Sequence, residues 1–304
     1  MTGKRQSSMF NVPLELCSLA TRGTQECSIF ILLISLFLIS CDSIAEDDRL
    51  IHVPLPAVGR NVLIEDFTGQ LCVNCPNAAE EIQRLQQQYG PDTVIAVGIH
   101  GGPLAVYSNA RVVGLRTELG DEYYSHWKVE QEPSGLINRT GSVTTHDQWA
   151  GQVNKAVSQQ ATVDLSGQCR YDSTSHLLTV SVSVTGQQAV SGRLQVWLTE
   201  SGITALQSMP DGTNNANYIH NHVLRCAVNG AWGEPVELAE AETQTFNYSC
   251  TTDPAWEGSN LSAVIFVYND QGVQQVIEIH PSPAPTPSPL AEGRNPLPFT
   301  MRIE

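Results

Sequence analysis

Three kinds of hydrophobic pattern follow one another along the chain. Ile29–Ile39 reads IFILLISLFLI, about the length of a signal-peptide apolar region and short of the ~20 residues that span a bilayer. Asn61–Phe67 (NVLIEDF) and Thr93–Ile99 (TVIAVGI) are short continuous apolar runs. Both predict buried strands, the second of the kind that pairs in parallel with both faces covered. Between them a helical pattern runs from Cys72 to Tyr89, with Ala78, Ile82, Leu85 and Tyr89 at helix spacing, and Gly90-Pro91 stops it. Together these predict a strand–helix–strand unit. A glycine-containing loop, His100–Pro103, and one or two helices lead to Trp127. Pro133 then precedes a short strand, and His146–Gln160 reads as a closing amphipathic helix with Trp149, Val153, Ala156 and Val157 on one face.

From Ala161 the period changes to two. Alternating segments fall at Ala161–Tyr171, Leu177–Val184, Leu194–Glu200, Asn221–Val228, Gln244–Cys250, Leu261–Tyr268 and Val273–Ile279, with Gly, Asn and Asp between them. Short strands at this spacing predict an immunoglobulin-like β-sandwich. The proline-rich stretch His280–Leu290 cannot pair as a central strand and predicts an extended surface segment. There is no internal repeat.

The formal net charge is −15. Such a surface repels nucleic acid and anionic lipid head groups, so no nucleic-acid partner is expected, and membrane attachment needs another device. The apolar run supplies one. It leads into Leu38-Ile39-Ser40-Cys41, which resembles the lipobox of bacterial lipoproteins, where the cysteine is lipidated and becomes the new N-terminus. The resemblance implies a lipoprotein signal peptide over 1–40, an outer-membrane lipoprotein of a Gram-negative cell envelope, periplasmic or surface-facing, and attachment to the membrane through lipid on Cys41. The acidic residues after Cys41 (DSIAEDD) begin a tether over 41–60. They read as a solvated linker or, by analogy with some lipoproteins, as a signal for surface export.

An exported chain meets an oxidising compartment, where two nearby thiols form a disulfide. Cys72-Val73-Asn74-Cys75 follows the first strand and a turn containing Gly69. A thiolate where a helix begins faces unpaired N–H groups and the positive end of the helix dipole, which lowers its pKa. Cys72 is therefore the candidate nucleophile, and Cys75, one turn on, the thiol that resolves a mixed disulfide. A fixed disulfide on a binding module and half a zinc site are the alternatives. No second Cys-x-x-C supplies the remaining zinc ligands, so no metal and no cofactor are expected.

Asn61–Gln160 resembles thioredoxin-like proteins. The resemblance implies that Asp66, six residues before Cys72, is the buried acid that assists proton transfer, and that Pro133 is the cis-proline beside the disulfide that shapes the substrate groove. Leu71 stands where these proteins carry an aromatic, Pro76 follows the second cysteine instead of separating the pair, and the last strand before the closing helix is hard to find. The whole chain after the signal resembles the twenty-eight kilodalton outer-membrane lipoprotein family through Glu65–Gly69 with Cys72–Pro76, Gly135–Arg139, His220–Arg225 and Asn229–Gly233. The expected fold is an α/β thioredoxin-like N-terminal domain (61–160), an all-β immunoglobulin-like sandwich (161–280) and a proline-rich C-terminal segment (281–304).

Cys169 and Cys250 each end a strand pattern on an apolar face and form a possible structural disulfide, which leaves Cys226 a buried thiol. His220 and His222 alternate onto one face of an expected strand, where packing is favoured over metal ligation. Asp211, Asn214, Asn215 and Asn217 lack the register of a calcium loop and read as a solvated turn. The expected function is thiol–disulfide exchange with the thiols or disulfides of envelope proteins. The alternative is a non-catalytic surface binding or assembly lipoprotein with an inert fold of the same kind. An enzyme needs Cys72 exposed and Cys75 shielded beside Asp66; a binding module does not.

Overall fold

The computed structural model describes residues 57–283. The expected signal segment 1–40, Cys41, most of the tether and most of the proline-rich segment lie outside the described residues. The sequence pattern gives the first elements as expected: β1 (Val62–Thr68), α1 (Cys75–Tyr89) and β2 (Val94–His100), with β1 and β2 parallel. α2 (Glu118–Trp127) and the short β3 (Ser134–Ile137) follow, then α3 (Trp149–Val157). β3 runs antiparallel to β1.

The rest of the described chain is strand: β4 (Val163–Asp172), β5 (Leu177–Gly186), β6 (Val190–Glu200), β7 (Ile203–Ser208), β8 (Asn214–His220), β9 (Val223–Ala227), β10 (Glu234–Leu238), β11 (Thr243–Thr251), β12 (Leu261–Asn269), β13 (Gly272–Ile279) and β14 (Ser282–Pro283). β5 alternates strictly between buried and less buried residues, and β4 does so apart from the exposed Gly167, as a half-buried antiparallel ladder requires.

The expected fold class is corrected by the sheet order. The main sheet runs β13-β12-β6-β9-β2-β1-β3, with β10 paired to the free part of the β6 edge. Strands from both expected domains are thus neighbours, joined where Gly98 on β2 pairs with Val223 on β9. A thioredoxin-like α/β domain does not stand apart from an immunoglobulin-like sandwich. The described residues are mostly β, with three α-helices, and all belong to one compact unit. The sequence gives no sign of this merger because the pairing joins residues more than a hundred positions apart, and local periodicity carries only local information.

Three apolar clusters fill the unit. α1 and α3 cover one side of β1 and β2 around Val62, Ile64, Leu85 and Trp149. The four-stranded sheet β11-β5-β4-β14 packs on the main sheet around Val180, Val182, Val196, Leu198 and Ile265. The third cluster mixes Leu63, Phe67 and Ile95 from the start of the chain with Trp197, Phe266 and Val276 from its end. The sheet curls to enclose it. Val273 N donates to Asn138 O at 2.8 Å, and Asn61 Nδ2 donates to Val276 O at 2.9 Å.

Inside the third cluster sits an ion pair. Arg139 Nη2 lies 3.0 Å from Glu65 Oε1, with both side chains at 2 % exposure or less. Six aromatic rings surround the guanidinium, from Tyr268 at 4.4 Å and Phe266 at 4.9 Å to Tyr123 at 6.0 Å. Trp197, Trp232 and Trp127 complete the cage. A buried guanidinium needs both a counter-charge and π faces, and here β1, α2, β6 and β12 supply them together.

The expected Cys169–Cys250 bridge is also corrected. Cys169 pairs with Val180 and Cys250 with Leu178, both on β5, so the two cysteines lie on the outer strands of one three-strand ladder. Strands two apart are separated by about 9.5 Å, beyond the ~7 Å that a disulfide can close. Cys169, Cys226 and Cys250 are all free thiols. Cys250 faces Cys226 of the other sheet and shares a hydrogen bond with it. Burial pushes the Cys169 thiol up to about 12.

Removing one member of a buried charge pair leaves the other unpaired, at a cost of about 3–5 kcal/mol. Arg139→Met and Glu65→Gln should each lower the free energy of urea unfolding by that order. The double variant should lose less than the sum of the two. Strict additivity would contradict a coupled pair.

Candidate functional site

β1 delivers Asp66 to the α1 side of the sheet and Glu65 to the other, because adjacent strand residues alternate. The chain then turns through Gly69-Gln70-Leu71. Leu71 N donates to Leu104 O at 2.9 Å and Cys72 N to Gly69 O at 3.1 Å. Cys72 and Cys75 are joined in a disulfide, with Cα atoms 5.4 Å apart. α1 begins at Cys75, not at Cys72, with Pro76 in its first turn. Proline suits that position because its φ is already helical and its missing N–H would be unpaired there anyway. Both cysteines are 3 % exposed, and Cys72 is flanked by Leu71 at 43 % and Val73 at 46 %. The expectation that Cys72 is exposed and Cys75 shielded is therefore not met in the oxidised pair.

What covers the turn is the β7–β8 hairpin, which the sequence reading missed. Gln207 Nε2 donates to Cys72 O at 2.8 Å and Gly69 O at 3.3 Å, and Ser208 N donates to Gln70 O at 2.8 Å. Gln70, fully buried, spreads its amide between loops. Its Nε2 donates to Val113 O and Leu206 O, and its Oε1 accepts from Leu115 N.

Asp66 is buried and its Oδ1 has no hydrogen-bond partner. Burial, with the Glu132 carboxylate adding to it, pushes its carboxyl up to about 8. Pro133 follows Glu132 through a cis peptide bond and is buried. Glu132 was not singled out by the sequence reading. Its carboxylate lies within 4.8 Å of both cysteine sulfurs. Its Oε2 is buried without a partner, and burial pushes the group up to about 7 despite the Tyr124 hydroxyl beside it. Gly69 makes room for it: a Cβ there would stand 2.6 Å from Glu132 Oε2 and 2.6 Å from the Leu104 carbonyl carbon.

Behind Cys75 is a cavity of about 280 Å³ lined by Asp66, His100, Tyr218, His220 and His222 together with residues of α1. Burial lowers His100 to about 3 and His220 to about 4, so both imidazoles are neutral at pH 7. Their rings stand 5.7 Å apart. His220 and His222 do not share a strand as expected: β8 ends at His220, and His222 has a φ of 56° in the turn before β9. Of the residues expected in a solvated turn, only Asp211 lies in the β7–β8 connection, where its Oδ1 accepts from Thr213 N at 2.9 Å, whereas Asn214, Asn215 and Asn217 fall on β8.

A sequence profile described as outer membrane protein Omp28 matches residues 120–283. The chain belongs to this family. The match begins after the cysteine pair and takes in Glu132, Pro133 and Arg139. Omp28 membership places the protein in the outer membrane of a Gram-negative cell envelope. Among solved structures the chain is similar to HBP35 of Porphyromonas gingivalis, at 13 % identity over 78 % of this chain and 81 % of that one, with a TM-score of 0.60. That likeness is one of fold. It is also similar to a domain of the outer membrane lipoprotein Omp28 from Porphyromonas gingivalis, at 25 % identity over 40 % of this chain and 90 % of that one, with a TM-score of 0.28. No curated protein matches the chain.

A carboxylate close to the sulfurs opposes formation of a thiolate and so favours the disulfide. Glu132→Gln should raise the reduction potential of the Cys72–Cys75 pair at pH 8 by about 30 mV, equivalent to ~1.4 kcal/mol. The difference should close below about pH 6, where Glu132 is protonated in the wild type. An unchanged potential at pH 8 would contradict this coupling.

Proposed function

We propose that this Omp28-family protein exchanges thiols and disulfides with envelope proteins. The observation that carries the reading is the pair of carboxyl groups, Asp66 and Glu132, raised toward neutrality beside one buried disulfide. General acid–base chemistry is most effective when the group's pKa lies near the working pH. In the reduced protein the Cys72 thiolate attacks a substrate disulfide, forms a mixed disulfide and releases one substrate thiolate. Asp66 takes the proton of Cys75. The Cys75 thiolate then attacks the Cys72 sulfur, closing the internal disulfide and expelling the second substrate thiolate, which takes the proton held by Asp66. The same steps in reverse donate a disulfide. Pro133 lacks an N–H and lies in the buried wall next to Glu132, a suitable flank for a substrate strand. Anchoring through lipid on Cys41 belongs to the same proposal.

One observation favours a second reading, a non-catalytic surface binding or assembly protein. Both sulfurs are buried and the β7–β8 hairpin holds the turn by three hydrogen bonds from Gln207 and Ser208. Exchange therefore requires Leu71, Val73 or the hairpin to yield.

Equilibration with glutathione buffers and thiol trapping separates the two. Exchange predicts a potential between about −270 and −120 mV, the range of known exchange proteins, whereas a pair that stays oxidised below about −300 mV fits a structural bond and contradicts the reading. Asp66→Asn should slow resolution of a trapped mixed disulfide at pH 7 at least tenfold. It should also alter stability with a defined sign. Asp66 has a folded pKa of about 8 against ~3.9 unfolded, so the unfolded chain loses this proton first. Wild-type stability should fall relative to Asp66→Asn as pH rises from about 4 to 8. Parallel pH profiles would contradict a buried, raised carboxyl.

A further inference from the structure

We propose that the opened Cys72–Cys75 pair and Glu132 form a three-ligand site for a zinc-like divalent cation. Atoms of three ligating groups, the two Sγ and a Glu132 carboxylate oxygen, all lie within 4.8 Å of one another. Zinc bonds of ~2.3 Å to sulfur and ~2.0–2.2 Å to oxygen on a tetrahedron hold their ligand atoms roughly 3.5–3.8 Å apart. Once the disulfide opens, the two sulfurs part to that spacing, and the Glu132 oxygen, already within 4.8 Å of both, needs to close in only slightly.

The donor set suits the cation. Two thiolates and a carboxylate are ligands that zinc accepts, and three protein ligands with one open position is the arrangement of zinc sites that keep a water or a substrate. The orphaned Glu132 Oε2 is the second sign. It is buried, accepts no hydrogen bond and lies in space that a side chain on Gly69 would fill. Charge points the same way. Two thiolates beside the Glu132 carboxylate repel one another, and a divalent cation offsets that repulsion.

The site is gated by oxidation state. In the disulfide the sulfurs are bonded to each other and no thiolate exists to ligate. A dithiol or phosphine reductant supplies two electrons and becomes oxidised, the S–S bond breaks, and the two sulfurs take up protons. The cation then displaces those protons and binds both thiolates. A disulfide oxidant takes two electrons from the pair and leaves as two thiols, which re-forms the S–S bond and releases the metal. The inference rests on the exchange reading only in requiring that the pair can open.

The test uses the full chain purified in detergent. The pair is opened with a phosphine, thiols are counted, and Zn²⁺ is titrated against a chromophoric chelator, with Co²⁺ as the spectroscopic probe of sulfur ligation. The oxidised protein and Cys72→Ser are the controls for Cys169, Cys226 and Cys250, which are present in all samples. The expected result is one additional Zn²⁺ per chain after reduction, a sulfur-to-cobalt charge-transfer band, and at least tenfold weaker binding in Glu132→Ala with the band retained. Equal binding by reduced and oxidised protein overturns the site, and so does an unchanged affinity in Glu132→Ala. A pair that the phosphine cannot open contradicts both this site and the exchange reading, whereas a pair that opens without taking zinc contradicts the site alone.

Discussion

The ion pair between Glu65 and Arg139 is the constraint on which the rest of the unit depends. Its partners come from β1 and from the residues just after β3, and its aromatic cage comes from α2, β6 and β12 together with Trp232. Neither charge is stable in an apolar core without the other, and four of the six rings around the guanidinium, those of Trp197, Trp232, Phe266 and Tyr268, come from the second half of the chain. The pair therefore ties the first hundred described residues to the last hundred. The sheet that joins them, through β2 and β9, is the backbone expression of the same constraint.

The arrangement has a direct effect on the disulfide. Glu65 and Asp66 are neighbours on one strand and face opposite sides. Fixing Glu65 in the aromatic cage fixes Asp66 beneath the cysteine turn. The later strands also build the site directly. Gln207 holds the carbonyls of Gly69 and Cys72, and His220 and His222 close the cavity behind Cys75. The chemistry available to the pair is thus set by residues on both sides of position 160.

Individual elements are legible in the sequence, for local reasons, whereas the joining of the two expected domains into one sheet is not. β1 and β2 read as unbroken apolar runs, α1 as a 3.6-residue repeat, and β4 and β5 as alternation. The start of α1 was misplaced because the apolar pattern continues back to Cys72, while Pro76 sets the first turn three residues later. The β7–β8 hairpin is hidden in the sequence because the inward positions of β7 are Ala205 and the polar Gln207, and because β8 is rich in Asn, which is depleted in strands. β10 has only five residues and contains Pro235, a residue confined to sheet edges. In the candidate site, Cys72, Cys75, Asp66 and Pro133 stand together. Glu132 and His100 were illegible, since nothing in their local sequence says that a fold will bring a carboxylate to the sulfurs or an imidazole to the cavity.

Both halves of the chain form one cooperative structure, and the site is a product of both. In native-state hydrogen exchange at increasing urea, the slowest amides of β1 and β2 and those of β6 and β12 should open at one common free energy and merge into one isotherm. An opening of β1, α1 and β2 at distinctly lower free energy, with β6 and β12 still protected, would contradict it.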